Sequence, residues 1–238
     1  NTIMAETLKG STKDVDALIE KGEKKEVALM QIIQKYIVES KKVLFEGDGY
    51  SEAWAQEAEK RGLPNVKTTP LALDAYVTDK VKQLFSSNEI YNHPELEARH
   101  EIMLEAYIKK VQIEARVMGD LATTFILPSA VKYQNVLIKN ILGLKDAGLS
   151  ETAYANQKQV LETISNHINI VSDNVEKMIE ARKKANELTD TREMAIAYCD
   201  DVKGKYFDVI RYHVDKLELL VDDAFWLLPK YREILFLR

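Results

Sequence analysis

The feature that most constrains the fold is a long segment of helical periodicity between Pro94 and Leu127, with no proline inside it before Pro128. At 1.5 Å per residue, a continuous helix of this length spans roughly 50 Å. One apolar stripe along it comprises Leu104, Ile108, Val111, Ala115, Met118, Ala122 and Phe125, and a second set, Ile102, Ile113 and Val117, lies nearly opposite. We therefore predict a central helix that packs on both sides, followed after Pro128 by a further helix ending near 147–148.

The C-terminal part of the chain has the pattern of a helical hairpin. A seven-residue register, typical of long helices packed along their length, includes Tyr154, Leu161, Ile164, Ile168, Val171, Val175 and Met178. After a short turn near 186–190, steps of four or three place Val202, Tyr206, Val209, His213, Leu217, Leu220, Ala224 and Leu227 on one stripe. Short connections favour antiparallel neighbours. We predict two antiparallel helices, the second ending at Pro229.

The N-terminal part predicts shorter elements. A helix from Val27 to Leu44 gathers Leu29, Ile32, Ile33, Tyr36, Ile37 and Leu44 on one side. Ser51 can cap a short helix that stops near 61–62, and Thr69-Pro70 is a helix start. The sequence contains no alternating apolar and polar pattern of the kind found in strands, so no strand is predicted. The predicted class is all-α: one helical region, 1–238, with helices in 1–44, loops and short helices in 45–94, and a bundle of long antiparallel helices in 95–238.

Composition excludes several classes of function. A net charge of -5 offers no broad attraction to a phosphate backbone, so nucleic acid is not predicted as a partner. The sequence contains no apolar run of about 18 residues, so no membrane-spanning helix is predicted. The single cysteine, Cys199, excludes an internal disulfide and suits a reducing compartment, which favours a cytoplasmic location.

Candidate reactive groups do not assemble into a predicted site. Glu97 and His100 have the Glu-x-x-His spacing of di-iron helical bundles, but no other glutamate precedes a histidine by three residues. His213 is predicted to be a hydrogen-bonded core or interface histidine rather than a metal ligand. Cys199 has no evident base and is predicted to be a buried small side chain. The sequence thus predicts no catalytic, cofactor-binding or metal-binding residue.

An unusually apolar tail closes the sequence, from Phe225 through Leu237. Such aromatic anchors can bury against a partner or complete the chain's own core. The residues predicted as a candidate interface are Trp226, Tyr231, Leu235 and Phe236.

Several ordered segments resemble the C-terminal helical region of type III glutamine synthetases. They are Phe45-Glu-Gly-Asp-Gly-Tyr-Ser-Glu-Ala-Trp54, Glu57 to Asn65, Lys67 to Pro70, Glu95 to Arg99, Ile126-Leu127-Pro128, Arg211 to Glu218, and Pro229 to Glu233. The resemblance extends over essentially the whole chain. One departure is Leu227, where the family is expected to carry a proline after the tryptophan.

The resemblance implies a parent that condenses glutamate and ammonia using ATP and Mg or Mn, in a ring-based assembly. None of its nucleotide, metal or glutamate residues falls on this chain, whose first helix is expected to continue from the catalytic part. The implied role is a scaffold, inactive alone, that contacts the parent's catalytic domain and neighbouring subunits of a homo-oligomer. Two alternatives are a stand-alone helical protein-interaction module and, from Glu97 and His100 alone, a di-metal bundle enzyme.

Overall fold

A computed structural model describes residues 1–236 and is helical throughout its regular structure, with no strand in that part of the chain. The predicted all-α class is therefore confirmed. Two compact units divide the chain, Asn1–His100 and Glu101–Arg238, the second described as far as Phe236. None of the helices described is both long enough and apolar enough to cross a membrane.

The first unit begins with two helices, α1 (Thr2–Glu20) and α2 (Lys25–Ser40). Val15 of α1 packs with Ala28 and Ile32 of α2 in a small core, flanked by Leu18 and Tyr36. The predicted single apolar face of α2 is split in the structure. Ile32 is buried, but the side chains exposed to solvent include Leu29, Ile33, Ile37 and Leu44. Helix α1 packs against one side of α2, and a single helix cannot cover an apolar arc this wide.

Short helices follow, as predicted for 45–94: α3 (Glu52–Lys60), α4 (Thr69–Leu73) and α5 (Asp79–Ser87), with 3-10 turns at Lys41–Val43 and Asp74–Val77. Ser51 caps α3 by accepting a hydrogen bond from the Trp54 amide. Gly62 follows α3 with φ +69°, in the left-handed region that glycine adopts without a Cβ clash.

The long central helix passes through Pro128 instead of ending before it. Helix α6 (His93–Leu121) leads through a π-helical turn, Ala122–Ile126, directly into α7 (Leu127–Asp146). The predicted break at Pro128 is therefore wrong. Proline lacks the N–H of a regular α-helical bond, and its ring crowds the preceding turn; the wider turn just before Pro128 accommodates both effects.

The predicted hairpin is confirmed. Its first arm is α8 (Ala155–Asn186); its second combines α9 (Thr191–Ala197), a π-helical segment (Tyr198–Phe207) and α10 (Asp208–Leu220). Tyr198 hydrogen-bonds Asn186, and His213 hydrogen-bonds His167, so positions advance along one arm as they recede along the other. The arms are therefore antiparallel.

The second arm ends earlier than predicted, at Leu220 rather than Pro229. Val221 is extended, and the Asp222 carboxylate accepts a hydrogen bond from the Ala224 amide at 2.8 Å. An aspartate that bonds the backbone two residues ahead stabilises a turn in competition with the helix.

The core of the second unit lies between α8, residues 101–121 of α6 and the second hairpin arm. Its fully buried residues include Leu104, Val111, Ile164, Val171, Val175, Met178, Tyr198, Val202, Ile210 and Leu217. The inner stripe predicted for α6 and the register predicted for α8 supply most of them. The second stripe of α6 is different: Ile102 and Ile113 are more than 60 % exposed, so packing on both sides is not observed.

Two helical glycines provide a matched test of this packing. A Cβ on Gly119 would meet Val175 and Met178 at 3.7 and 3.8 Å, which is ordinary contact, whereas a Cβ on Gly204 would lie 3.2 Å from the Cys199 carbonyl oxygen. Gly119→Ala is expected to raise the free energy of unfolding by about 0.5–1 kcal/mol. Gly204→Ala is expected to gain less or to lose stability. Urea unfolding of both variants measures the difference, and a larger gain for Gly204→Ala would contradict it.

Candidate functional site

The predicted interface residues lie in the segment that follows α10. Trp226 is buried, 8 % exposed, and its ring lies 6.0 Å from the Lys230 ammonium. Tyr231, Leu235 and Phe236 are 65, 61 and 80 % exposed. Trp226 thus completes the chain's own core, while the other three residues present an apolar surface. Leu237, also in the predicted tail, lies outside the described residues.

A buried lysine fixes this segment to the end of α10. The Lys230 Nζ donates to the Val221 carbonyl at 2.9 Å and pairs with Asp223, while Arg232 pairs with the same carboxylate. The Tyr231 amide donates to Glu218 at 2.8 Å, at the start of α11 (Tyr231–Ile234). The hydrogen bond from Lys230 holds the pKa of Asp223 below its ordinary value. The exposed tail residues are therefore held on an ordered base.

Replacing Lys230 tests this anchor. Lys230→Met keeps the length of the side chain but leaves the Val221 carbonyl without its charged donor, so we expect a loss of about 1–2 kcal/mol in the free energy of unfolding. Opening of the segment should also expose the Trp226 ring and shift its fluorescence to longer wavelength. Lys145→Met, at an exposed position in the last turn of α7, is the control. An unchanged spectrum for Lys230→Met would show that the segment is held by other contacts.

The structure separates Glu97 and His100 rather than bringing them to one ion. Glu97 accepts a hydrogen bond from Lys82 at 2.6 Å, which lowers the pKa of that carboxyl, while His100 lies 3.8 Å from Asp74. Among residues 1–236, no three His, Cys, Asp or Glu side chains come together as a candidate metal site.

Cys199 is only half-buried, so full burial as a small apolar side chain is not observed. Burial raises the pKa of the Cys199 thiol above its ordinary value. A raised pKa keeps the sulfur protonated at neutral pH, which disfavours a nucleophilic thiolate.

His213 is hydrogen-bonded inside the hairpin, as predicted, but its partner was missed. The Nδ1 atoms of His213 and His167 lie 2.7 Å apart, and the two rings are tilted at 52°. One imidazole must donate and the other accept, so a single proton occupies the contact. The two residues lie equally far along the chain from Asp190, at the turn of the hairpin. These equal distances from the turn of an antiparallel hairpin could have predicted that the two histidines meet.

A second polar cluster was also missed by sequence reasoning. The hydroxyl of Tyr198, a fully buried residue, donates to Asn186 Oδ1 at 2.6 Å and accepts from Gln112 Nε2 at 3.1 Å. It ties the central helix to both arms of the hairpin close to the turn. Only the structure shows this cluster, because Gln112 lies 74 and 86 positions from Asn186 and Tyr198 and the three residues belong to no motif.

The fold and these side chains define an all-α domain whose polar groups brace helices against one another. Residues 28–145 match the family model described as the glutamine synthetase C-terminal domain. A glutamine synthetase of Bacteroides fragilis is 42 % identical over 99 % of this chain and 33 % of its own length. The type-3 glutamine synthetase of Dictyostelium discoideum is 31 % identical over 100 % of the chain and 32 % of its own length.

Residues 28–145 belong to the glutamine synthetase C-terminal domain family, and the resemblance of the chain to the type III enzymes is confirmed. A glutamine synthetase of Butyrivibrio fibrisolvens is 30 % identical over 90 % of the chain and 30 % of its own length. The chain therefore spans about a third of the length of the curated relatives it matches.

Proposed function

We propose that this chain is a non-catalytic scaffold of a longer glutamine synthetase, which makes glutamine from glutamate, ammonia and ATP with Mg or Mn. The observation that carries the proposal is the match along nearly the whole chain to one third of enzymes named glutamine synthetase. The reactive groups of the proposed activity belong to the other two thirds. No cofactor is assigned to this chain, and the proposed location is the cytoplasm, without a nucleic-acid or membrane partner.

The proposed partners are the parent's catalytic domain and neighbouring subunits of a homo-oligomer. Exposed apolar surface supports this role, because large contiguous apolar patches on a protein surface mark contact sites. On α2, the residues Val27, Met30, Ile33 and Ile37 recur at three- and four-residue steps and are 42, 66, 51 and 57 % exposed. The tail adds Tyr231, Leu235 and Phe236.

The catalytic half of the proposal is tested on the isolated chain. With ATP, Mg or Mn, glutamate and ammonia, we expect no glutamine above a blank without protein. The longer protein, assayed in parallel, is expected to be active. Turnover by the isolated chain would overturn the non-catalytic assignment.

The scaffold half is tested in the longer protein. We expect removal of the region from Asn1 to Arg238 to lower the mass of the assembly in light scattering. A triple variant, Tyr231→Ala, Leu235→Ser and Phe236→Ser, tests the tail while leaving the Lys230 anchor in place. The control is Leu142→Ser, at a 52 % exposed position on α7. An unchanged mass after removal of the whole region would overturn the scaffold role.

A further inference from the structure

We propose that an apolar pocket at the start of α1 binds the few residues that directly precede Asn1 in the longer glutamine synthetase. The inference rests on the proposed function and deepens it by naming one contact that joins this chain to the rest of that protein. The pocket lies wholly within the first unit, so its geometry does not depend on how the two units are arranged.

The pocket lies between the first turn of α1 and helix α5. Its volume is about 320 Å³, and its apolar lining residues are Ile3, Ala75, Tyr76, Val81, Leu84 and Phe85. Ile3 is 72 % exposed and Tyr76 is 39 % exposed, so much of this apolar surface is in contact with water. A side chain that entered the pocket would remove that surface from water, which is favourable when the side chain is apolar.

A side-chain amide holds the two walls of the pocket together. Asn88, at the C-terminal end of α5, donates to the Glu6 carboxylate of α1 at 2.9 Å and to the Leu84 carbonyl at 2.8 Å. Leu84 lines the pocket, so one amide ties the wall formed by α5 to the first turns of α1. The pocket is therefore preformed, and filling it carries little additional cost for ordering its walls.

Covalent connection selects the occupant. Asn1 is the N-cap residue of α1, and it lines the pocket itself. The family model is described as a C-terminal domain, and this chain spans 33 % of the length of the Bacteroides fragilis relative. In the proposed longer protein, other residues therefore precede Asn1.

The length of a peptide unit keeps those residues beside the pocket. Successive Cα atoms are 3.8 Å apart, so the four residues before Asn1 lie within about 15 Å of its Cα atom. A short tether of this kind gives an effective concentration of roughly millimolar, which a separate ligand or a second copy of the chain reaches only when it is abundant.

The lining also determines the chemistry of the occupant. A polar side chain would give up hydrogen bonds to water in an apolar pocket, whereas an aliphatic or aromatic side chain would not. We therefore expect at least one large apolar residue among the four positions before Asn1. Reading those four residues in the longer protein checks this expectation, and four polar or small residues would overturn the inference.

Protection of a cysteine tests the occupancy directly in the longer protein. Ala75→Cys places a thiol at an exposed position that lines the pocket, and Ala72→Cys places one at an exposed position on α4 outside the lining. Each variant is made with the natural four residues before Asn1 and with Gly-Ser-Gly-Ser in their place. The rate of modification by a maleimide is read on the peptide by mass spectrometry.

We expect Gly-Ser-Gly-Ser to raise the modification rate of Ala75→Cys by about tenfold or more, because the thiol loses its cover, and to leave Ala72→Cys within about twofold. The chain that starts at Asn1 gives the reference rate for an uncovered pocket. Light scattering and glutamine formation check that the longer protein with the replaced segment is still assembled and active.

A disulfide experiment keeps the natural packing and does not depend on the replacement. One cysteine is placed in turn at each of the four positions before Asn1, together with Ala75→Cys. At one or more of these positions, mild oxidation should form a disulfide within the chain, since such a bond requires Cα atoms about 4.4–6.8 Å apart. The same four positions combined with Ala72→Cys are the control and should form little or none.

Two results would overturn the inference. One is a modification rate of Ala75→Cys that does not change when the segment is replaced, which would mean that the pocket is open or is covered by another part of the longer protein. The other is the absence of a disulfide to Ala75→Cys at all four positions. Both leave the scaffold function standing if removal of the region from Asn1 to Arg238 still lowers the mass of the assembly, and only a failure of that separate experiment would count against it.

Discussion

Tyr198→Ala is expected to lower the free energy of unfolding by about 3–5 kcal/mol, the range for removing a large buried side chain. The residue is fully buried, and its hydroxyl joins Asn186 of α8 to Gln112 of α6. The variant loses both the packing of the ring and the hydroxyl at the centre of this cluster.

Tyr198→Phe separates the two contributions. It keeps the ring and removes only the hydroxyl, so a loss of about 1 kcal/mol is expected, because Gln112 still donates to Asn186 at 3.2 Å. Tyr231→Ala, at a 65 % exposed ring, is the matched control and should change stability by less than about 0.5 kcal/mol. Urea unfolding followed by circular dichroism gives the values. Equal losses for the alanine variants at positions 198 and 231 would refute a central role for the buried cluster.

Acidification is expected to destabilise the hairpin through the His167–His213 contact. Burial lowers the pKa of His167, and the charges of His213 and Lys216 lower it further. The ring of Tyr212 also faces His213. In the unfolded chain the imidazole titrates near its ordinary value of about 6.5, so the unfolded chain binds the proton more readily than the folded one. This contribution to stability is complete above pH 6.5 and is lost as the pH falls from about 6.5 toward the folded pKa.

The slope of stability against pH measures this effect. One proton taken up on unfolding corresponds to at most about 1.4 kcal/mol per pH unit. His167→Gln removes the titrating group and retains an amide that can bond His213, so its slope below pH 6.5 should be smaller than that of the unmodified chain. His93→Gln, at an exposed position, is the control and should keep the original slope. A steeper loss for His167→Gln would contradict the explanation.

The sequence predicted the helical class and the α8 register because those signals are local and periodic. Ile164, Val171, Val175 and Met178 are all buried where the seven-residue pattern placed them. The turn near 186–190 and the antiparallel arms followed from the same periodicity and the short connection. The short helices in 45–94 followed from cap and proline signals.

The predicted stripe of the second arm is out of register from Tyr206 to His213, although Val202 and Leu217 are buried as predicted, and the reason is geometric. Steps counted from Val202 predicted a stripe through Tyr206, Val209 and His213. The buried residues Phe207, Ile210 and Val214 lie one position further on. The π-helical segment adds a residue to its turns, so an α-helical count cannot carry the register across it.

The sequence also could not predict which side chains of different helices contact one another. Packing between helices brings Tyr198 to Asn186 and His213 to His167. Periodicity identifies which face of a helix is apolar. It does not show how far one helix is shifted along its axis relative to the helix packed against it, so it cannot tell which residues meet. The interface predicted for Trp226, Tyr231, Leu235 and Phe236 remains a prediction, since no partner surface is described.

The two widened turns also bear on how this family can vary in length. Each holds one residue more than a regular turn of α-helix, at Ala122–Ile126 and within Tyr198–Phe207. Deleting one residue there would convert the π-helical turn into a regular α-helical turn. The residues on either side of it would keep the same packing contacts. Elsewhere in α6, α8 or α10, the same deletion would rotate everything beyond it by about 100°. Single-residue gaps between homologues should therefore concentrate in these two stretches.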